Sequence, residues 1–352
     1  MTEALKILLV ILMLATISGC DGLFFDETPS TKPLEVYDAF TYELNAKSAF
    51  LQYVSVDVDS LFNDHRKQIK QYDNGKQLIR SLKEILNELE DAHTRLIYSM
   101  PREQMYIRYD KWKTKYLKND LSDISHYFES YSVIGGERIE YGKLKNKNIG
   151  YLKFNSLSLG WLTRDIRDIL DTFKNTDGLI IDLRSAAGTL YNYSTSYEVN
   201  DVLEMLNDSS GVYIYKRTKQ SNTRRNFTQW EPVWLRLPDN AEPLYTKPII
   251  VLTNRQTAGA SELLAAGLRI NPSVLIIGDN TAGFIGNPDY TPLPGDWYLT
   301  VSIKEFKLPE NYLNSSYRFQ GIPPDINVNI SPADSSAGVD TILERAMDEL
   351  SE

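Results

Sequence analysis

The sequence predicts an α/β protein in which a small N-terminal helical bundle precedes an α/β core. Three observations carry that expectation. Residues 35–90 place apolar side chains three or four apart in three successive segments, the spacing of amphipathic helices. Residues 149–183 read as strand, helix, strand, which marks a crossover unit of a parallel sheet. An apolar strand at 247–254 then runs through a short turn into an amphipathic helix, the arrangement that offers unpaired backbone N–H groups to an anion.

The elements follow in order. Lys6 precedes the apolar run ILLVILMLATI, which is too short for a comfortable membrane span. The run ends in ISGC, small residues before Cys20, and is similar to a bacterial lipoprotein signal, cleaved before Cys20 with lipid attached to its thiol. An ordinary uncleaved anchor is the alternative. Cys20 is the single cysteine of the chain, so no intrachain disulfide can form. These features predict a lipid-anchored protein of the bacterial cell envelope, facing the periplasm. Residues 1–20 are then the signal and 21–34 a polar, proline-containing tether. The helical bundle spans 35–93, with Asp57 and Asn74 as expected caps. Short runs rich in β-branched and aromatic residues make 94–145 a stretch of cap or linker strands. The core is expected over 146–335, and a last helix over 336–352, its pattern running from Val339 to Leu350. The excursion at 221–237 mixes aromatic and basic side chains and reads as a hairpin.

Composition removes several classes of function. The net charge of −9 and a pI near 5.1, with no basic stripe, argue against nucleic acid as a partner. The three histidines, His65, His93 and His126, form no cluster of metal-ligand spacing, so neither a metal nor a cofactor is expected.

Four segments, in order, resemble the tail-specific or C-terminal processing serine peptidases, in particular a tricorn-core-like branch that includes the nisin-resistance protease. They are LNELEDAHTRL at 86–96, GLIIDLRSAAG at 178–188, NRQTAGASELLAAGL at 254–268, and IIGDNTAG at 276–283 followed by GIPPDINV at 321–328. The helical lead-in at 36–62 is also similar, so the likeness covers about residues 35–330. The stretch between His93 and Asn148 is too short for the peptide-tethering PDZ module of the longer members. The resemblance implies a crotonase-like core built of ββα units, and cleavage of peptides or unstructured protein tails.

Carried over residue by residue, the resemblance makes His93 the general base and the N–H groups of Gly188 and Ala260 the oxyanion donors. Tyr191 and Tyr193 follow the glycine turn and could line a peptide groove. The family's serine lies three residues before the glutamate of the helix's first turn; counting back from Glu262 gives Gly259, which has no hydroxyl. The branch with a Ser–Lys dyad takes its lysine from the box matching DNTAGF, where this chain has Phe284. Ser261 could supply a hydroxyl if the helix began two residues later; on a helix beginning before it, a rotation of about 200° turns it away from His93. Asp91 is expected to fix the local turn. Gly259 is an acceptable N-cap, so its presence is expected to remove chemistry and spare the fold. Two functions stay open: an envelope serine peptidase with lost or reduced turnover, and a silent relative that binds peptides as scaffold, sequestering or immunity protein. A structural lipoprotein whose bundle docks a membrane partner is a weaker third.

Overall fold

The computed structural model describes residues 32–70, 75–99, 104–109, 123–157, 163–184, 195–221, 223–239, 241–309 and 321–351. Helix α1 (Pro33–Lys47) starts with proline in its first turn, where no N–H is needed, and buries Val36, Tyr37, Phe40 and Leu44. Asp57 caps α2 (Val58–Gln68), accepting from the N–H groups of Asp59 and Ser60. The Tyr37 hydroxyl donates to the Phe62 carbonyl at 2.7 Å and ties these two helices together. Helix α3 (Lys76–Leu89) buries Leu78, Leu82, Ile85, Leu86 and Leu89. Its N-cap is Gly75, at φ 76°; Asn74, the expected cap, lies outside the described residues.

The three helices do not form a bundle closed on itself. They pack on an antiparallel sheet of β1 (Arg95–Ser99), β2 (Gln104–Arg108), β11 (Pro288–Leu293) and β12 (Trp297–Ser302), in the order β11-β12-β1-β2. Leu96, Ile107, Leu293, Trp297, Leu299 and Val301 of this sheet share one buried cluster with the helices. Two strands from late in the chain therefore complete the N-terminal layer.

The second sheet is the core. Its order is β14-β10-β9-β6-β5-β4-β3, built from β3 (Phe128–Ile134), β4 (Ile139–Leu144), β5 (Ile149–Phe154), β6 (Gly178–Asp182), β9 (Ile249–Thr253), β10 (Val274–Gly278) and β14 (Ile326–Asn327). The strands from β5 to β14 are parallel, and β4 runs antiparallel to β5 and to β3. Every residue of β6 and β9 is buried, as parallel strands covered on both faces require. Helices α4 (Thr163–Phe173), α5 (Thr195–Leu206) and α6 (Ala260–Leu268) contribute to the cluster on one face. The other face is covered by α8 (Thr341–Glu349), through Ile342, Leu343 and Ala346. A short helix, α7 (Pro332–Ala337), precedes α8 and ends at Gly338, φ 74°.

Two boundaries differ from the sequence reading. The stretch at 94–145 is not a separate layer: β1 and β2 belong with the helices, whereas β3 and β4 extend the core sheet across residue 145. Strand pairing is long-range, and periodicity within one run does not reveal the partner. The excursion at 221–237 does not form a hairpin by itself: it supplies only β8 (Glu231–Leu235), which pairs with the preceding run β7 (Gly211–Thr218), while β13 (Lys304–Lys307) lies on the other side of β7.

Candidate active site

The turn between β9 and α6 is held by its own polar side chains. Asn254 Oδ1 accepts from the Gln256 N–H at 2.9 Å, and Thr257 Oγ1 accepts from the Asn254 N–H at 3.1 Å. Thr257 Oγ1 also donates to the Leu183 carbonyl at 2.9 Å, fastening the turn to the end of β6. The chain then reaches Gly259, the N-cap of α6, at φ 64° and ψ −116°. Side chains avoid that region of conformational space, and it is tolerated mainly by glycine. The geometry amends the expectation that glycine is merely an acceptable cap here: glycine is the relaxed residue, and a serine would sit under backbone strain.

Glu262 organises the surroundings of that turn. Its side chain is fully buried. Oε2 accepts from the N–H groups of Gly259 at 2.9 Å and Phe284 at 2.8 Å. Oε1 accepts from the Gly283 N–H at 2.7 Å and from Thr281 Oγ1 at 2.5 Å. The glutamate half of a capping box is thus present, and it also ties down the 281–284 loop. The four donors satisfy a carboxylate that has no access to water.

His93 follows α3 on a turn entered through Glu90, whose φ is 50°. The ring is 1% exposed. Asp91 Oδ1 accepts from the His93 backbone N–H at 3.1 Å and lies 3.2 Å from Nδ1. Its Oδ2 accepts from Thr94 Oγ1 at 2.6 Å. Asp91 therefore fixes the turn, as expected, and also holds the imidazole. A carboxylate at Nδ1 favours a proton there and leaves Nε2 with the lone pair that a base needs. Among the described residues Nε2 has no hydrogen-bond partner. It faces Gly286, where a Cβ atom would lie 2.3 Å from it. Phe50 and Phe284 flank the ring, with centroids 5.4 and 6.2 Å away. Ala92 and Ala258, the neighbours of His93 and Gly259, share one buried cluster with Tyr109, Ala282 and Phe284. The histidine and the cap thus converge on the same apolar patch.

The other expected residues fall differently. Ala260 opens α6, so its N–H belongs to the first turn, which has no intrahelical acceptors. Ser261 lies one residue further along and is fully buried. The helix does not start two residues later, which was the condition for Ser261 to occupy the turn. Gly188, Tyr191, Tyr193 and Cys20 lie outside the described residues.

One buried network was not foreseen. Arg184, just beyond β6, donates to both oxygens of Asp182 at 2.7–3.1 Å and to both oxygens of Asp340 at 2.7 and 2.8 Å. The Tyr151 hydroxyl adds a bond to Asp182 at 2.7 Å. Asp340 in turn caps α8, accepting from the Leu343 N–H at 3.0 Å. Burial alone would raise the Asp182 pKa; the adjacent Arg184 charge and its hydrogen bonds outweigh this and hold it below the usual value. The network pins the C-terminal end of β6. The Asp-Leu-Arg run was its signal in sequence, yet Asp340, 156 residues away, carries none.

Residues 148–328 match the sequence profile of peptidase family S41. The chain belongs to that family. Two curated S41-like relatives are a carboxyl-terminal-processing protease of Picosynechococcus and a tail-specific protease of Haemophilus influenzae. The first is 26% identical over 189 residues, 53% of this chain and 41% of that protein. The second is 27% identical over 203 residues, 54% of this chain and 26% of that protein. The matched stretch is thus less than half the length of either. A solved structure described as a candidate peptidase from Parabacteroides merdae is similar throughout, with a TM-score of 0.76 and 27% identity. It covers 91% of this chain, and 97% of that chain is covered. The likeness in fold accordingly extends to the N-terminal helices that lie outside the profile match.

Proposed function

We propose that this S41 protein is an envelope lipoprotein whose peptidase-type cleft takes up peptides or unstructured protein tails, with hydrolysis lost or strongly reduced. One observation carries the reading: the cap at the β9–α6 turn keeps its glutamate cradle and its neighbouring His93–Asp91 pair, yet residue 259 carries no side chain. In this reading His93 Nε2 stands where a general base would act, and the N–H groups of Gly188 and Ala260 face an oxyanion or a peptide carboxylate. The same reading assigns Tyr191 and Tyr193, which lie outside the described residues, to the peptide groove. A nucleophile is the one missing part, and without it only binding and oxyanion stabilisation remain.

Retention of the His93–Asp91 pair favours a second reading, an active peptidase that uses another hydroxyl. Ser261 is the one to test, although its place inside the helix speaks against it. The soluble chain from Asp21 is incubated with casein and a library of unstructured peptides, and products are read by mass spectrometry. We expect no cleavage by the wild-type chain and cleavage by Gly259→Ser. Wild-type cleavage that vanishes in Ser261→Ala would overturn the reading. The anchor is tested separately: labelled palmitate should enter the full chain in a bacterial host, and Cys20→Ala should abolish it.

A further inference from the structure

β3 is the outermost strand at one end of the core sheet, and among the described residues no strand lies beyond it. Its seven residues, FESYSVI, include one charge and no proline, and Val133 is 49% exposed. Edge strands in monomeric proteins are usually shortened, bulged, or studded with lysine and proline, because their unpaired N–H and C=O groups invite another strand. β3 has a register shift between Phe128 and Ser130; from Ser130 to Ile134 its pairing with β4 is regular. The outer edge of that stretch is therefore a straight row of backbone donors and acceptors.

The flanks of this edge are hollowed on both faces. Ser130 and Ser132 line a cavity of about 320 Å³ together with Tyr141, Phe173 and Thr176. Tyr131 and Val133 line another of about 490 Å³, with Asp123, Glu137, Glu140 and Lys153. Strand side chains alternate, so the two cavities receive alternate positions of any chain lying along β3. The second cavity is negative. Lys153 is engaged by Glu140 at 3.3 Å, and Tyr131 and Asn155 also donate to that carboxylate. Asp123 and Glu137 are exposed and form no ion pair with Lys or Arg among the described residues, although Asp123 also accepts from the Ser125 N–H at 2.8 Å.

We propose that the edge of β3 is a second peptide site, distinct from the cleft. It takes an extended polypeptide segment as an added strand, with lysine or arginine side chains in the carboxylate-lined cavity and uncharged ones in the other. Backbone hydrogen bonds supply affinity in such additions and the alternating pockets supply selection. Charge complementarity chooses the occupant: three carboxylates face a single amine. β3 runs parallel to β5, β6 and β9, so its C-terminal end lies at the same edge of the sheet as the β9–α6 turn. Four strand spacings separate β3 from β9, about 19 Å. A tail added outside β3 lies one spacing further out, about 24 Å from β9, and could therefore reach the cleft with a further extended stretch of roughly seven residues.

Hydrogen–deuterium exchange of the soluble chain tests this with a ten-residue peptide of alternating lysine and valine. Controls are an alternating glutamate–valine peptide and the lysine–valine peptide with every second amide N-methylated. The lysine–valine peptide should slow exchange at residues 128–134, and the controls should not. The exposed double variant Asp123→Asn/Glu137→Gln should fold normally and weaken that binding about fivefold at low salt. Unchanged exchange at β3 would overturn the proposal. So would slowing confined to residues 91–94 and 254–262, equal binding of the N-methylated peptide, or protection that depends only on protein concentration, which would indicate a second copy. No readout involves hydrolysis, so failure of the cleft reading leaves this test intact.

Discussion

Gly259→Ser should make the protein less stable and more active in the same step. The stability side follows from the backbone. A residue other than glycine at φ 64°, ψ −116° costs on the order of 1–3 kcal/mol. Serine recovers about 0.4–1 kcal/mol by restricting the unfolded chain, and a few tenths more as a better cap. The balance is a net loss of about 1 kcal/mol, or roughly 1–2 °C in Tm for a chain of this size. The activity side follows from what remains: the Glu262 cradle does not use the residue 259 side chain, and His93 is already oriented by Asp91. Restoring a nucleophile to an otherwise complete site should raise hydrolysis by at least about 100-fold over the wild-type background. Thermal unfolding by circular dichroism reads the first quantity, and cleavage of casein-derived peptides the second. A variant as stable as wild type would show that the turn carries no strain. A folded variant that stays silent would show that more than a hydroxyl is missing.

Three further substitutions probe the supports of the site. Glu262→Gln turns an N–H₂ toward a group of donors and leaves at least one buried N–H unpaired, so it should cost about 2–4 kcal/mol in urea unfolding; a loss under 1 kcal/mol would argue against the cradle. Gly286→Ala places a Cβ 2.3 Å from His93 Nε2 and must push the ring aside, costing about 1–3 kcal/mol by overpacking. It should also shift the His93 imidazole resonances in NMR spectra; an unmoved ring would refute the contact. Asp182→Asn strands Arg184 beside a single carboxylate and should cost about 3–5 kcal/mol at pH 7. Because the folded Asp182 pKa is depressed, its contribution is present above the ordinary carboxylate pKa and fades as pH falls through the lower folded value. Wild-type and variant Tm curves should therefore converge below about pH 4; parallel curves would contradict the assignment.

Much of the fold was legible because its signals are local. The apolar spacing over 35–90 predicts three helices that are present, and the strand–helix–strand over 149–183 predicts a crossover that is present as β5, α4 and β6. What stayed hidden depends on distant pairing. Leu96 and Leu299 face one core though 203 residues separate them, and nothing in either run names its partner. The same holds for Arg184 and Asp340. At the site, the segment around His93 and the count back from Glu262 to Gly259 were legible through the family resemblance. The second job of Asp91, the four donors of Glu262 and the fit of Gly286 against the imidazole were not, because each is a contact across loops.

Gly259 itself changes meaning between the two levels. As a letter in the sequence it stands where the family resemblance would place a hydroxyl at a helix cap. In the folded chain it occupies a backbone conformation that glycine tolerates best, so under the proposed reading a change that removed chemistry would also have removed strain. A catalytic serine at such a turn is held in place by the rest of the structure at some cost in stability. Once selection on turnover is relaxed, substitution by glycine lowers the energy of the native state and leaves the Glu262 cradle with nothing to compensate. The cleft can then persist as a binding surface with its architecture intact. On this argument the oriented His93 need not signal hidden turnover: Asp91 also fixes the turn that carries it, and Phe50, Phe284 and Gly286 form a slot shaped to the imidazole whether or not a proton ever moves.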